Sequence, residues 1–83
     1  MAEHLPLGFE VRLQPSDDGT IATVATLREA CDVLVDWPHA RRGPFYLAAR
    51  ERVEGAIKGE TPVREAAESF LALCEHAGVI VRD

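Results

Sequence analysis

Apolar and polar positions recur with two different periods along the 83-residue chain, and the change of period separates strands from helices. Residues 9–13 alternate apolar and charged side chains, which is typical of a strand with one face in water. Residues 20–25 are rich in β-branched side chains and predict a second strand. Residues 15–19 between them combine Pro, Ser, Asp and Gly, so we expect a turn and an antiparallel hairpin.

Apolar residues then recur every three or four positions in three segments, which predicts three helices that each bury one face. The first helix is predicted to start at Thr26, because Thr26 and Glu29 form a capping box, and Pro38 cannot continue it. The second is predicted to start at Pro44, whose fixed φ suits a first helical turn, and to end at Gly59.

The third helix has the clearest period of the three. We expect Thr61 to be its N-cap and Pro62 its first residue, with Gly78 as its stop. Phe70 is predicted to be the centre of its buried face, and the apolar segment Val79–Val81 that follows is interpreted as a further strand. The predicted buried faces are Leu27, Ala30, Cys31 and Leu34 with Val35 beside them, then Phe45, Ala49, Val53, Ala56 and Ile57, and finally Val63, Ala66, Ala67, Phe70, Leu71, Cys74 and Ala77.

Strands at both ends and helices in the middle predict an α+β fold. We expect a small antiparallel two- or three-stranded sheet packed against three helices, in the order ββααα(β). Whether residues 79–81 pair with the hairpin stays open. Residues 1–8 are expected to form a flexible N-terminus and residues 9–83 a single domain, since the chain is too short for a second core.

Residues 36–46 join the first two helices and combine the only Trp and the only Tyr of the chain with two arginines and a histidine. Proline at positions 38 and 44 constrains both ends of this corner. We therefore expect Trp37, Pro38 and Pro44 to be structural, because a large ring at a helix corner usually packs against its neighbours. Stacking of the aromatic rings against a base or another flat ligand is the alternative.

The sharpest site hypothesis concerns the two arginines of this corner. They precede a predicted helix N-terminus, where free backbone N–H groups and the positive end of the helix dipole favour an anion. The candidate residues of an anion or partner site are Arg41, Arg42, Gly43, Tyr46 and His39. In the alternative interpretation both arginines pair with acids such as Asp36 or extend into water. If the corner is a binding site, we expect both arginines to be replaceable without loss of folding.

The other reactive side chains give no support for an enzyme or a metal centre. Cys31 and Cys74 lie on predicted buried faces, so we expect free, buried thiols. The three histidines have no nucleophile beside them in the sequence, and the carboxylate pairs lie in polar segments. We therefore expect no catalytic residue, no cofactor and no metal. The net charge of −5 argues against a broad contact surface for nucleic acid, so a nucleic-acid partner is not expected from charge.

Residues 1–8 contain neither a positively charged segment nor an apolar one, so we expect no signal peptide. No apolar run approaches the roughly 18–20 residues that a membrane-spanning helix requires. The chain has two cysteines and no Cys-x-x-Cys spacing, which fits a cytoplasmic protein with reduced thiols and no membrane partner.

A set of residues between Ala25 and Val81 forms a recognisable pattern: Glu29-Ala30, Leu34, Trp37-Pro38, Arg42-Gly43-Pro44, Tyr46, Ala49, Ala56, Gly59, Ala66, Phe70 and Val79-Ile80-Val81. On these residues the chain resembles a small bacterial family, DUF982, a domain of unknown function. The resemblance implies a compact α+β domain without an established activity, catalytic residue or cofactor. Family members often carry an Arg where this chain has Ala67, so no role of that Arg is carried over.

Two functions are compatible with these residues. The first is a non-enzymatic module that binds a protein partner or a second copy of itself, because the chain is rich in apolar residues for its size. The second is an anion-binding domain, for a phosphorylated metabolite or a nucleic-acid end, that uses Arg41, Arg42 and the following helix N-terminus. An enzyme ranks third, because no nucleophile can be paired with a base.

Overall fold

The computed structural model describes residues 4–14, 19 and 21–81. Its elements are strand β1 (Pro6–Leu13), strand β2 (Ala22–Thr26), helix α1 (Leu27–Val35), a 3₁₀ turn (His39–Arg41), helix α2 (Pro44–Ile57) and helix α3 (Val63–Ala77). The order ββααα confirms the predicted α+β class, with three helices beside a small antiparallel sheet. Residues 15–18 of the predicted turn, and Thr20 of the predicted second strand, lie outside the described residues.

Strand β1 begins three residues earlier than predicted, inside the segment expected to be a flexible N-terminus. Leu7 is buried and Phe9 half-buried, so the inward alternation of β1 extends back past Gly8. The register against β2 shifts between Pro6 and Val11, and Gly8 in this interval adopts a φ of 94°. Pro and Gly indicate loops in a sequence, but Pro is tolerated as the first residue of a strand and Gly at a bulge.

The predicted hairpin is confirmed, with Val11 opposite Val24 and Leu13 opposite Ala22 in antiparallel register. The C-terminal segment pairs with the hairpin through a single bridge between Leu13 and Ile80. The backbone N–H of Val81 donates to the carbonyl oxygen of Arg12 at 2.8 Å on the same side. The described residues therefore form a two-stranded sheet extended by a short bridge.

Helix boundaries follow the predicted capping signals with one exception. The capping box of α1 is present, since the Glu29 N–H donates to Thr26 Oγ1 and the Thr26 N–H donates to Glu29 Oε1, both at 3.2 Å. Helix α3 ends at Gly78, which has a left-handed φ of 69°. Its N-cap is Pro62 and not the predicted Thr61. Thr61 instead packs over Gly55, where a Cβ would overlap the threonine hydroxyl.

The core lies where α3 packs against α2 and β1, and where α1 packs against α2 and β2. Phe70 is fully buried, as predicted for the centre of α3. The buried apolar residues are Leu7, Leu13, Val24, Leu27, Ala30, Leu34, Trp37, Tyr46, Ala49, Val53, Ala56, Ala66, Ala67, Phe70, Leu73, Cys74 and Val79. Among the described residues no helix is both long and apolar enough to cross a membrane.

Two predicted buried positions are wrong, and both leave large apolar side chains in water. The helical period predicts Phe45 on the inner face of α2, but Phe45 is 44% exposed and Tyr46 is buried instead. Tyr46 lies three and seven residues before Ala49 and Val53, which places all three on one face of the helix. Val35, predicted to lie beside the buried face of α1, is 67% exposed at the last residue of that helix.

Candidate functional site

The corner between α1 and α2 is built on a buried tryptophan. Trp37 is 2% exposed, and its backbone N–H donates to the carbonyl oxygen of Leu34 at 3.2 Å, which closes the last turn of α1. Its ring lies 6.5 Å from the ring of Tyr46 at an interplanar angle of 33°. The Tyr46 hydroxyl donates to the same Leu34 carbonyl at 3.0 Å inside the core. Among the described residues none accepts a hydrogen bond from the indole Nε1.

Arg42 caps the C-terminus of α1. Its Nε donates to the carbonyl oxygen of Trp37 at 3.1 Å, and its Nη2 donates to that of Val35 at 3.1 Å. The guanidinium carbon lies 4.8 Å from the centre of the Tyr46 ring, in a cation–π arrangement. The last turn of α1 contains no basic residue of its own, so Arg42 supplies the positive charge that the negative end of the helix dipole favours.

Arg41 makes the equivalent contact with another helix. Its Nη2 donates to the carbonyl oxygen of Ala77, the last residue of α3, at 3.1 Å. The two arginines of the corner thus bind the C-terminal carbonyls of two helices, an arrangement that neither interpretation of the sequence considered. The role of Arg42 could have been inferred from sequence, because the last turn of α1 contains no basic residue and Arg42 is close enough to it in sequence to replace one. Arg41 offers none, since its backbone partner lies 36 positions away.

The N-terminus of α2 opens onto a depression of about 250 Å³ between α2 and α3. Gly43 is the N-cap and gives no side-chain hydrogen bond, while Pro44 is the first helical residue. The His76 and Phe45 rings stack here, with centres 4.4 Å apart. His39 lies exposed in the 3₁₀ turn and does not line this depression. The residues that line it are Arg41, Gly43, Pro44, Phe45, Tyr46, Leu73, His76 and Ala77.

A second concave site is the groove between α1 and α2, with a volume of about 190 Å³. Its lining is apolar at the bottom, where Leu34, Tyr46 and Val53 are buried. Sequence reasoning missed this groove, because its two walls come from helices that are separated by the corner. The remaining lining residues are Arg42, Arg50 and Glu54 along its polar edge, with Cys31 and the exposed Val35.

The outer face of α2 carries a third and larger depression of about 450 Å³, bordered by Leu47, which is 60% exposed. Arg50 and Glu54 line both this depression and the groove, and their side chains form an ion pair with Nε and Oε1 3.0 Å apart. The Arg50–Glu54 pair therefore lies between the groove, which the exposed Val35 lines, and the depression that the exposed Leu47 borders. The residues that line the third depression are Leu47, Arg50, Glu51, Glu54, Gly55, Lys58, Glu60 and Thr61.

The two cysteines are free, as predicted, but only one of them is fully buried. Burial raises the pKa of the Cys74 thiol to about 12, and the nearby Glu75 carboxylate adds to this shift. Cys31 is half-buried beside the groove, and its pKa is raised by burial first and then by Asp32 and Glu54. Among residues 4–14, 19 and 21–81, no three His, Cys, Asp or Glu side chains are grouped closely enough to hold a metal ion.

A family model described as "Protein of unknown function (DUF982)" matches residues 10–81 of the chain. The match begins within β1 and extends to the bridge that follows α3, so it covers the corner, the groove and the outer face of α2. No curated protein and no solved structure shows significant similarity to the chain.

Proposed function

The chain belongs to the DUF982 family, whose function is unknown, and we propose that this member is a non-enzymatic, cytoplasmic protein-interaction module. The observation that carries the proposal is the exposure of Val35 and Leu47, at 67% and 60%. Val35 lines the apolar groove, Leu47 borders the neighbouring depression, and Arg50 and Glu54 line both. Single exposed aliphatic residues are ordinary, whereas apolar side chains exposed beside concave sites with polar edges are typical of an interaction site.

We call this site the α2 surface, and it consists of Val35, Leu47, Arg50, Glu51 and Glu54. If a partner buries these two aliphatic side chains, each would contribute about 1.5–3 kcal/mol to the binding free energy, reduced in proportion to the surface that the fold already buries. The Arg50–Glu54 pair at its centre provides a donor and an acceptor of opposite charge. Such a pair would select the orientation of the partner rather than add much affinity.

The contacts of the corner arginines favour a structural role over a binding role. Arg42 donates through Nε and one Nη to backbone carbonyls, and its guanidinium lies over Tyr46. Tyr46 itself is buried, with its hydroxyl bonded to the carbonyl oxygen of Leu34. These two residues are therefore assigned to holding α1 and α2 together, so that Val35 and Leu47 are presented on one surface.

The proposal is tested by quantitative affinity capture with the immobilised chain, using cell extract and separately a purified, untagged copy of the chain as prey. We expect Leu47→Asp and Val35→Asp to lose a prey that the wild-type chain retains, with melting temperatures unchanged. The control is Arg64→Glu, which alters an exposed charge on α3 outside the α2 surface. If the two Asp variants retain the same prey as the wild-type chain, the α2 surface is not the binding site.

A second candidate function is anion binding at the N-terminus of α2, as the corner sequence suggests. The observation that favours it is the depression of about 250 Å³ beside this N-terminus, which Arg41 and His76 line. The N–H groups of the first helical turn point toward an anion bound there. A titration with inorganic phosphate tests it. Binding that weakens with added salt and is reduced by Arg41→Ala supports anion binding, and the absence of saturable shifts of the Phe45 and Tyr46 amide signals contradicts it.

A further inference from the structure

We propose that the partner that fits the α2 surface is a second copy of this chain, with the two α2 helices packed antiparallel about a twofold axis. This inference rests on the interaction role proposed above and names its partner. A twofold interface uses the same patch on both copies, so the patch must be complementary to itself. The charges and the shape of the outer face of α2 both meet this requirement.

The charged side chains of this face nearly balance, with two positive against three negative, although the chain as a whole carries a net charge of −5. The two cations of the face are Arg50 and Lys58, and Glu51 and Glu54 oppose them along α2 and its C-cap. Glu60 adds one negative charge beyond the helix. Most of the negative charge of the chain therefore lies outside this face, so the electrostatic repulsion between two copies is weaker here than elsewhere on their surfaces. Because Arg50 and Glu54 are one turn apart, an antiparallel arrangement centred between them sets each Arg50 opposite the Glu54 of the other copy.

The shape of the face follows the same symmetry. With the axis level with position 52, Leu47 lies five residues, or about 7.5 Å, toward one end of α2. The Leu47 of the other copy then lies the same distance toward the opposite end, next to the part of the depression that Gly55, Lys58 and Thr61 line. Thr61 packs directly over Gly55 here, and both residues line the depression. The protruding leucine of each copy thus faces the concave end of the other.

The size of the contact sets the strength of the association. Helix α2 has 14 residues and a length of about 21 Å. Contact along a single helix of this length covers less than the ~800 Å² per partner of a standard interface. We therefore expect a weak dimer with a dissociation constant of at least several micromolar, which forms and dissociates with concentration.

The test is sedimentation equilibrium of the intact chain from about 10 μM to about 1 mM, a range that brackets this dissociation constant. A reducing buffer excludes disulfide-linked dimers through the half-buried Cys31. The wild-type chain is expected to change from monomer to dimer across this range. Arg50→Glu and Glu54→Arg are each expected to be monomeric, because either change places like charges opposite each other in both halves of the interface.

An equimolar mixture of these two variants isolates the contact between copies. In the mixed pair, the new carboxylate at position 50 of one variant faces the new guanidinium at position 54 of the other. The unchanged Glu54 of the first variant faces the unchanged Arg50 of the second, so the mixture is expected to dimerise. The ion pair within each chain remains disrupted in both variants, which excludes restored helix stability as the cause. The matched control is the same pair of changes at Arg64 and Glu68, another i,i+4 pair on an exposed helix face, which should leave the wild-type dimer intact.

A wild-type chain that stays monomeric throughout overturns this inference, and so does a mixture that stays monomeric while the wild-type chain dimerises. If the chain is monomeric but another protein is lost from the Leu47→Asp variant, the interaction role stands and only the partner proposed here is wrong. If the chain dimerises and every charge variant does so equally, the copies meet through another face and the twofold arrangement of α2 fails.

Discussion

Arg42 and Arg50 line the same groove, yet their surroundings give them different roles. Arg42 is half-buried and bonded to two backbone carbonyls at the end of α1, while Arg50 is exposed and paired with a side chain on its own helix. A partner could reach Arg50 without cost to the fold, whereas binding through Arg42 would compete with contacts that hold the corner. The two most exposed large apolar residues among those described, Val35 and Leu47, line depressions that Arg50 also lines. The proposed site therefore lies on α2 and not at the arginine-rich corner.

The largest expected difference is between the labelling rates of the two cysteines. This difference tests whether the groove that Arg42 and Arg50 line is open to solvent. Cys31 lines this groove, while Cys74 is buried with a pKa of about 12. Because the thiolate is the reactive form and Cys74 also requires opening of the fold, we expect Cys31 to be labelled faster by at least about three orders of magnitude. For either thiol the rate should rise with pH while the pH remains below its pKa. Mass spectrometry of native labelling with iodoacetamide measures both rates, and equal rates would contradict the closed core.

Replacing Trp37 by Ala tests the packing beneath Arg42. The substitution removes a large ring that is 2% exposed, so we expect a loss of about 3–5 kcal/mol of unfolding free energy. Phe70→Ala, at the centre of the core, provides a reference of similar size. Urea denaturation followed by circular dichroism measures both, and a Trp37 variant as stable as the wild-type chain would show that the corner is not anchored by its ring.

Arg42→Ala tests the capping role directly. It removes two charge-assisted hydrogen bonds to carbonyls at the end of α1, so we expect a loss of about 1–3 kcal/mol of unfolding free energy. Arg42→Lys should recover only part of this loss, because an ammonium cannot reproduce the planar fork that contacts the Trp37 and Val35 carbonyls together. This differs from the expectation from sequence that, if the corner is a binding site, both arginines are replaceable without loss of folding. Unchanged stability of Arg42→Ala in the same urea denaturation would support that expectation instead.

Arg50→Ala is the matched counterpart on the α2 surface, and the smallest effect is expected here. Exposed i,i+4 ion pairs contribute little to stability, so the denaturation midpoint should not change measurably. Association measured by light scattering at high protein concentration should decrease for the same variant. If Arg50→Ala lost as much unfolding free energy as Arg42→Ala, the assignment of a structural role to Arg42 and a binding role to Arg50 would be wrong.

The elements could be predicted because their signals are local. The Thr26–Glu29 capping box, Gly78 and the inward period of α3 each lie within a few residues of the feature that they determine. The first turn of α2 could not be assigned in the same way, since residues 45–47 are all apolar or aromatic. Phe45 and Tyr46 both have helical spacing to the buried residues that follow. Tertiary structure decides between them, because the Tyr46 hydroxyl reaches a carbonyl of α1.

The candidate site was harder to predict from sequence, because its location depends on which side chains already form hydrogen bonds within the fold. The Arg-Arg-Gly-Pro stretch suggests an anion site, but the partners of both arginines are backbone carbonyls at helix ends. Backbone acceptors leave no pattern in a sequence. Leu47 and Val35 have the pattern of ordinary apolar residues in their helices. Only the packed structure shows that both remain in water, beside two depressions that share Arg50 and Glu54.

Self-association through α2 is tested most directly by amide chemical shifts of the ¹⁵N-labelled chain across a dilution series, because one spectrum reports on both regions. As concentration rises, we expect shifts along residues 47–58 of α2 and its C-cap and at Val35, and constant positions for residues 38–43 of the corner. The same shifts should be absent from a dilution series of Leu47→Asp. Concentration-dependent shifts that centre on residues 38–43, or spectra that do not change with concentration, would contradict self-association through α2.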